Sequence, residues 1–267
     1  MAPPRSSAWR PGGAREVRAS GLVADALPAG LRPSALAVGG HACETPRQCT
    51  GIRNGLRAHV DAPALVVGDA ELLVPAAGLD RGVGLVAGTG SVAVGRPADG
   101  TPVQVGGWGS ALGDEGGAAG LVREAVRACW AAHDRGEAPD APAAALLGAF
   151  GVPEVPALGA ALERATHPSA ERGRWAPAVF AAADAGSALA RAVIGAQGRA
   201  LAALVALPAR RGAAADDVVV AGGTVLAQPL LYDAFTAALA ETLPAARPRP
   251  LPVPPVDGAV VPARSLL

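Results

Sequence analysis

The sequence contains no lysine. All 23 basic residues are arginine, they are matched by 23 acidic residues, and they are scattered along the chain. A formal net charge of zero with no basic stripe removes the electrostatic footprint of a nucleic-acid partner. Cysteine is scarce: three residues are an odd number, too few for a disulfide framework, and they suit a reducing compartment. Long apolar runs are missing as well. The first twenty residues hold no apolar core of a signal peptide, and no stretch stays apolar for the roughly eighteen residues that spanning a membrane requires. These absences lead to the expectation of a soluble, cytoplasmic protein with neither a nucleic-acid nor a membrane partner.

The few cysteines also argue against a metal centre of ordinary type. Cys43 and Cys49 with His41 do not follow a CxxC spacing and have no evident fourth ligand, so no residue is assigned to a metal. Cys129 lies at helical spacing from Leu121, Val126 and Trp130 and reads as a core residue.

What is present is apolar bulk. With 51% hydrophobic positions in 267 residues the chain can bury a substantial core. Residues 1–20 lack periodicity and read as a flexible lead. SALAVGGH reads as a short buried strand, GIRNGLRAHV as a helix, Ala64–Val67 as a second strand ending at Gly68 and Asp69, and the residues from Ala70 as a short helix closed by Gly78. That alternation defines an α/β class. From Gly84 the pattern changes to three extended apolar runs joined by glycines and by the polar turn Pro97–Gly100, a hairpin-rich unit. A helix follows, with Asp114 able to cap it, an apolar face of Leu121, Val122, Ala125, Val126 and Cys129, and Arg123, Glu124 and Arg127 facing out. A loop-rich stretch then runs to Pro168, a helix from about Ala176 to Leu207, a strand in DDVVVAGGTV, a helix from about Gln228 to Leu243, and a tail with an extended segment and a last short helix. No tandem repeat is present.

Four places carry chemistry. Gly88-Thr89-Gly90-Ser91 offers backbone amides and two hydroxyls to a phosphate, or is an ordinary hairpin turn. A dinucleotide fingerprint is excluded there, because the third glycine is misplaced and a strand, not a helix, follows. Asp69 stands where a strand ends, suited to accept a proton from an attacking hydroxyl or to cap the next turn. The glycine-rich run from Gly106 to Gly116 carries Trp108, Asp114 and Glu115; Asp114 can receive sugar hydroxyls or cap a helix, Glu115 can hold the loop or lie near a metal, and Trp108 can sit at a ligand or in the core. Gly222-Gly223-Thr224 ends a buried strand where a flat ring such as adenine could approach.

Taken in order, VAGTGSVAVGRPADG, GGWGSALGDEGGAAGLVREAV and VVVAGGTVLAQPLL resemble the N-acetylglucosamine kinase branch of the BadF/BadG/BcrA/BcrD ATPase family, within the actin and sugar-kinase superfamily, from about Ala35 onward. The resemblance implies a fold of two ribonuclease-H-like domains, phosphoryl transfer from Mg-ATP to an amino sugar, and a homodimer. It implies Asp69 as catalytic base, and Gly88, Thr89, Gly90 and Ser91 as the second phosphate loop. Gly107 and Asp114 correspond to sugar-binding positions, with Trp108 and Glu115 grouped beside them, and Gly222 and Gly223 to the adenosine motif. ATP and Mg²⁺ are the implied cofactors.

One family feature has no counterpart. Members open with a strand and hairpin bearing a motif like DGGGTKT; here only Gly12-Gly13-Ala14-Arg15 occurs, without an Asp or a preceding apolar strand. The expectation is therefore a lead at 1–20, an incomplete first ribonuclease-H-like domain at 21–80 and a fuller second one at 81–267. Two functions follow: an amino-sugar kinase read from a downstream start, or a degenerate relative that binds sugar or nucleotide as a sensor or subunit. A third class, activators of 2-hydroxyacyl-CoA dehydratases, needs cysteines for a bridging iron–sulfur cluster. Cys43 and Cys49 flank a polar segment, not a glycine-rich cluster loop.

Overall fold

The computed structural model describes residues 20–267 apart from 24, 29, 41, 42, 44, 139 and 165–167. The lead, the Gly12–Arg15 motif and His41 therefore lie outside the described residues. The chain divides into two compact units: the described residues up to Leu72 with Pro255–Leu267, and Leu73–Pro254. The break falls eight residues before position 80, where the first domain is expected to end, and the C-terminal segment belongs with the first unit.

In the first unit, β1 (Leu36–Gly40) pairs in parallel with β2 (Ala64–Gly68), Val38 opposite Val66. The parallel crossover is helix α1 (Pro46–Leu56), which starts earlier than its periodicity predicts. Thr45 accepts the amide of Gln48, and Pro46 occupies a first-turn position where no intrahelical N–H is needed. Ile52 and Leu56 from α1 close a small core with Cys43 and Val66. A 3₁₀ turn, Asp69–Leu72, follows β2.

The second unit opens with the helical turn α2 (Leu73–Ala76) and is built on a five-stranded sheet. Strands β3 (Val83–Ala87), β4 (Ser91–Gly95) and β5 (Val103–Gly106) form an antiparallel meander. On the other side of β3, β6 (Asp217–Ala221) and then β7 (Arg247–Pro250) pair in parallel, giving the order β5-β4-β3-β6-β7. The period of two separates the faces. Val83, Leu85, Val218 and Val220 point to the main core, and Val219 and Ala221 pack on Leu73 at the opposite face. Covered on both sides, β6 is a continuous apolar run without alternation.

Helix α3 (Ala118–Asp134) contributes Leu121, Val122, Ala125, Val126 and Cys129 to the main core, as its spacing predicts. The stretch expected to be loop is helical instead: α4 (Ala141–Phe150), α5 (Leu158–Glu163) and α6 (Pro168–Gly173). Three of its prolines, Pro142, Pro156 and Pro168, sit at helix starts, where they initiate and do not break, as Pro142 does in the first turn of α4 behind the Asp140 cap. The single helix expected over 176–207 is two, α7 (Ala176–Asp184) and α8 (Ala188–Arg210), separated at Gly186 with φ 99° and restarted by the Ser187 cap. By length and composition α8 is the described helix that could cross a membrane, but its apolar side, with Ile194, Leu201 and Val205, lies in the core. Further helices are α9 (Gly223–Ala227) and α10 (Pro229–Thr242) in the second unit and α11 (Val260–Arg264) in the first.

Candidate functional site

The parallel neighbours β3 and β6 end side by side, the edge at which α/β sheets present ligands. The turn after β3 is Gly88-Thr89-Gly90, closed by the Gly88 amide donating to the Gly90 carbonyl at 3.0 Å. The turn after β6 is Gly222-Gly223-Thr224, and the Thr224 hydroxyl donates to the Gly88 carbonyl at 2.7 Å. Gly222 has φ 113°, and a Cβ there would lie 2.4 Å from the carbonyl carbon and oxygen of Ala87. Backbone meets backbone at this point, so glycine is required.

Helix α3 braces the same loop. Its first amides, Ala118 and Ala119, donate to the carbonyls of Gly88 and Thr89 at 2.8 and 3.0 Å. Those donors hold the loop and are not spare for an anion. The Thr89 hydroxyl and the amides of Thr89 and Gly90 have no hydrogen-bond partner among the described residues, and Thr89 is exposed. Three donors on one glycine-flanked turn suit phosphate oxygens.

Ser91, expected to add a second hydroxyl to that set, is buried and serves as a tie. Its hydroxyl donates to the Glu115 carbonyl at 2.6 Å, and its amide to Asp114 Oδ1 at 3.4 Å. Its carbonyl accepts the amide of Gly107 at 2.8 Å. The phosphate-type loop and the glycine-rich run are thereby one assembly.

Asp114 is the non-glycine residue with positive φ, 61°, among those described. The helix-cap role does not hold for it: α3 begins after Gly117, which is its N-cap. The Asp114 carboxylate packs on Gly90, where a Cβ would lie 2.8 Å from it, and Gly117 meets the Gly90 backbone within 2.6 Å of where its own Cβ would be. Burial pushes the Asp114 carboxyl above its usual range, and Glu115 adds to this; the amides of Ser91 and Gly109 and the Arg123 guanidinium act in the opposite sense. Trp108 is 78% exposed and Leu112 91%, so Trp108 is not a core residue. Glu115 is partly exposed, with Oε1 3.9 Å from Arg123 Nη2.

Two residues of this assembly were not singled out by pattern. Arg123, expected to face out, is 13% exposed and turns back on the run: Nη1 donates to the carbonyls of Ser110 at 2.9 Å and Gly113 at 2.6 Å, and Nε to Glu124 at 2.8 Å. Gln197 of α8 is buried and accepts the Gly116 amide at 2.7 Å. Gln197 was findable, because it interrupts the apolar stripe of Ile194, Leu201 and Val205. Arg123 was not, because helix periodicity cannot show that a loop folds over the polar face.

Asp69 belongs to the first unit, at the C-terminal end of β2. Its side chain is exposed and accepts the amide of Ala70 at 2.8 Å, while Glu71 accepts that of Gly68 at 2.8 Å. Among the described residues no group of three or more His, Cys, Asp or Glu side chains is arranged to hold a metal ion.

The second unit's sheet order, with glycine turns at the ends of its two central parallel strands, defines an α/β protein of the ribonuclease-H-like, actin-like ATPase fold. The model of the BadF/BadG/BcrA/BcrD ATPase family matches residues 59–261, and the chain belongs to that family. An N-acetylmuramic acid/N-acetylglucosamine kinase from Clostridium acetobutylicum is 38% identical over 76 residues, 27% of this chain and 24% of that protein, so the match spans about a quarter of the relative's length. The solved structure of a provisionally named N-acetylglucosamine kinase from Chromobacterium violaceum superposes with TM-score 0.64 at 25% identity, covering 88% of this chain and 78% of its own. A provisionally named N-acetylglucosamine kinase from Porphyromonas gingivalis does so with TM-score 0.62 at 16% identity, covering 90% and 79%, a likeness of fold alone.

Proposed function

We propose that this chain is a cytoplasmic kinase that transfers the γ-phosphate of Mg-ATP to a hydroxyl of N-acetylglucosamine or a related amino sugar. The observation that carries the reading is the junction of three motifs at one sheet end: Thr224 bonds to Gly88, and Asp114 packs on Gly90 and bonds to Ser91. A turn with spare donors, a strand end open to close approach and a buried carboxylate are thus fastened together.

In this reading the Thr89 hydroxyl and the amides of Thr89 and Gly90 bind phosphate oxygens, and the Gly222–Gly223 turn borders the adenine ring, with open space beside Gly223. Gly107, Trp108, Asp114 and Glu115 form the sugar side, with Asp114 accepting hydrogen bonds from the sugar hydroxyls. Asp69 takes the proton of the attacking hydroxyl as it moves in line on phosphorus. Magnesium takes most of its ligands from phosphate and water, which suits a site with no carboxylate cage among the described residues, and it would neutralise charge on the transferring group.

ADP release by the purified chain with Mg-ATP, with and without N-acetylglucosamine, N-acetylmuramic acid and glucose, tests this. Sugar-dependent turnover is expected, and Asp69→Asn should lower kcat by at least about 100-fold while calorimetric sugar affinity stays unchanged. Equal turnover in that variant rejects Asp69 as base. Sugar binding without turnover in the unmodified chain rejects the kinase and leaves a sugar-binding relative.

A further inference from the structure

We infer that Arg123 is the positioning residue for the sugar side of the site: its guanidinium clamps the run from Ser110 to Gly116 onto α3 and thereby holds the Asp114 carboxylate in place. The inference rests on the reading of Asp114 as a sugar ligand. Its physical basis is independent of that reading.

Asp114 needs holding. Its left-handed backbone carries a cost for any residue with a side chain, and its buried carboxylate sits against Gly90 with a long bond to the Ser91 amide. A segment with so many glycines does not maintain that conformation by itself, because its unconstrained states are numerous. Arg123 supplies the missing constraint. One guanidinium nitrogen takes the carbonyls of Ser110 and Gly113, so a single cation closes the turn that leads directly into Asp114. Its second terminal nitrogen lies 3.9 Å from the Glu115 carboxylate, on the other side of Asp114. Glu124 fixes the guanidinium through Nε. The planar fork and permanent charge of arginine make this geometry, and an ammonium cannot reproduce all of it.

The remaining contacts extend the clamp at both ends. Gln197 takes the Gly116 amide from the far side, and Arg172 of α6 also reaches the Ser110 carbonyl, at 3.5 Å. The Ser110 hydroxyl meets that of Ser169 at 3.2 Å. The large apolar side chains of the run, Trp108 and Leu112, are exposed and add little packing. The run is therefore held by polar contacts to its carbonyls and amides, with Arg123 at their centre.

Arg123→Met and Arg123→Lys in the full chain test the assignment through two readouts. Hydrogen exchange followed by mass spectrometry should show faster exchange in Arg123→Met confined to peptides over 107–117, with Arg123→Lys intermediate. Steady-state kinetics should show KM for N-acetylglucosamine raised about tenfold in Arg123→Met, with KM for ATP unchanged and partial recovery in Arg123→Lys. Unchanged exchange over 107–117 overturns the clamp, and so does a loss spread equally over both KM values and kcat. If Arg123→Met does not fold, Arg123→Lys carries the same test, and wild-type exchange in that variant overturns the clamp. Faster loop exchange in a chain whose unmodified form binds no sugar leaves the clamp standing and rejects the sugar reading, so the two failures are distinct.

Discussion

At the scale of single residues, Asp114 concentrates what is unusual here: a left-handed backbone, a buried carboxylate and a raised proton affinity. Its native pKa lies above that of the unfolded chain, which is near 3.9 for an aspartate. Between those two values the native state holds a proton that the unfolded state has released, so stability falls as pH rises through the window. The penalty of burying the charge is absent below the unfolded value and complete above the native one. Asp114→Asn removes this titration. In urea unfolding from about pH 7 down to about pH 4, the difference between the two proteins should move in favour of wild type as pH falls. A difference independent of pH would show that Asp114 keeps an ordinary proton affinity. Motif spacing singled out Asp114 and left it either a sugar ligand or a helix cap; the cap is ruled out by three residues of backbone, Glu115 to Gly117, that separate it from the helix.

Among the elements, the junctions between helices were the least legible and are the most testable. Ser187 restarts α8 by accepting the Ala190 amide at 3.1 Å, and its hydroxyl also donates to Asp140, 3.0 Å away, which caps α4. One hydroxyl thus joins two helix starts distant in sequence. Ser187→Ala should cost about 1–2 kcal/mol in urea unfolding, at the upper end for a cap because Asp140 loses a partner too. Combining it with Asp140→Ala should cost less than the sum of the two, since both remove the same bond. An additive double variant would mean the caps act independently. Ala-rich sequence reads as helix over the whole of 176–207, and the helix ends were visible only as Gly186 and Ser187, signals that also occur harmlessly in loops. The prolines from Pro142 onward made a helical stretch look like a loop, because composition does not tell a proline that starts a helix from one that ends it.

On the scale of the whole molecule, the proposed substrates should stabilise the folded chain by mass action. Mg-ATP at a hundredfold its Kd adds about 2.7 kcal/mol, which scanning calorimetry reads as a melting temperature that climbs with ligand concentration. Thr89→Val should weaken that climb for ATP and leave the one for N-acetylglucosamine intact, because the lost hydroxyl belongs to the turn assigned to phosphate. No shift with ATP at any concentration would remove the nucleotide from the second unit. The sequence alone determined the α/β class, the meander of β3 to β5, the buried strand β6 and the turns that flank the site, because these depend on periodicity and on glycines within a few residues of one another. It did not contain, in any local form, the inward turn of Arg123, the conversion of Ser91 from ligand candidate to tie, or the return of Pro255–Leu267 to the first unit. Each of those is a contact between residues far apart along the chain or across a loop, and such contacts are selected by packing and by the need to satisfy buried polar groups, which only the folded chain decides.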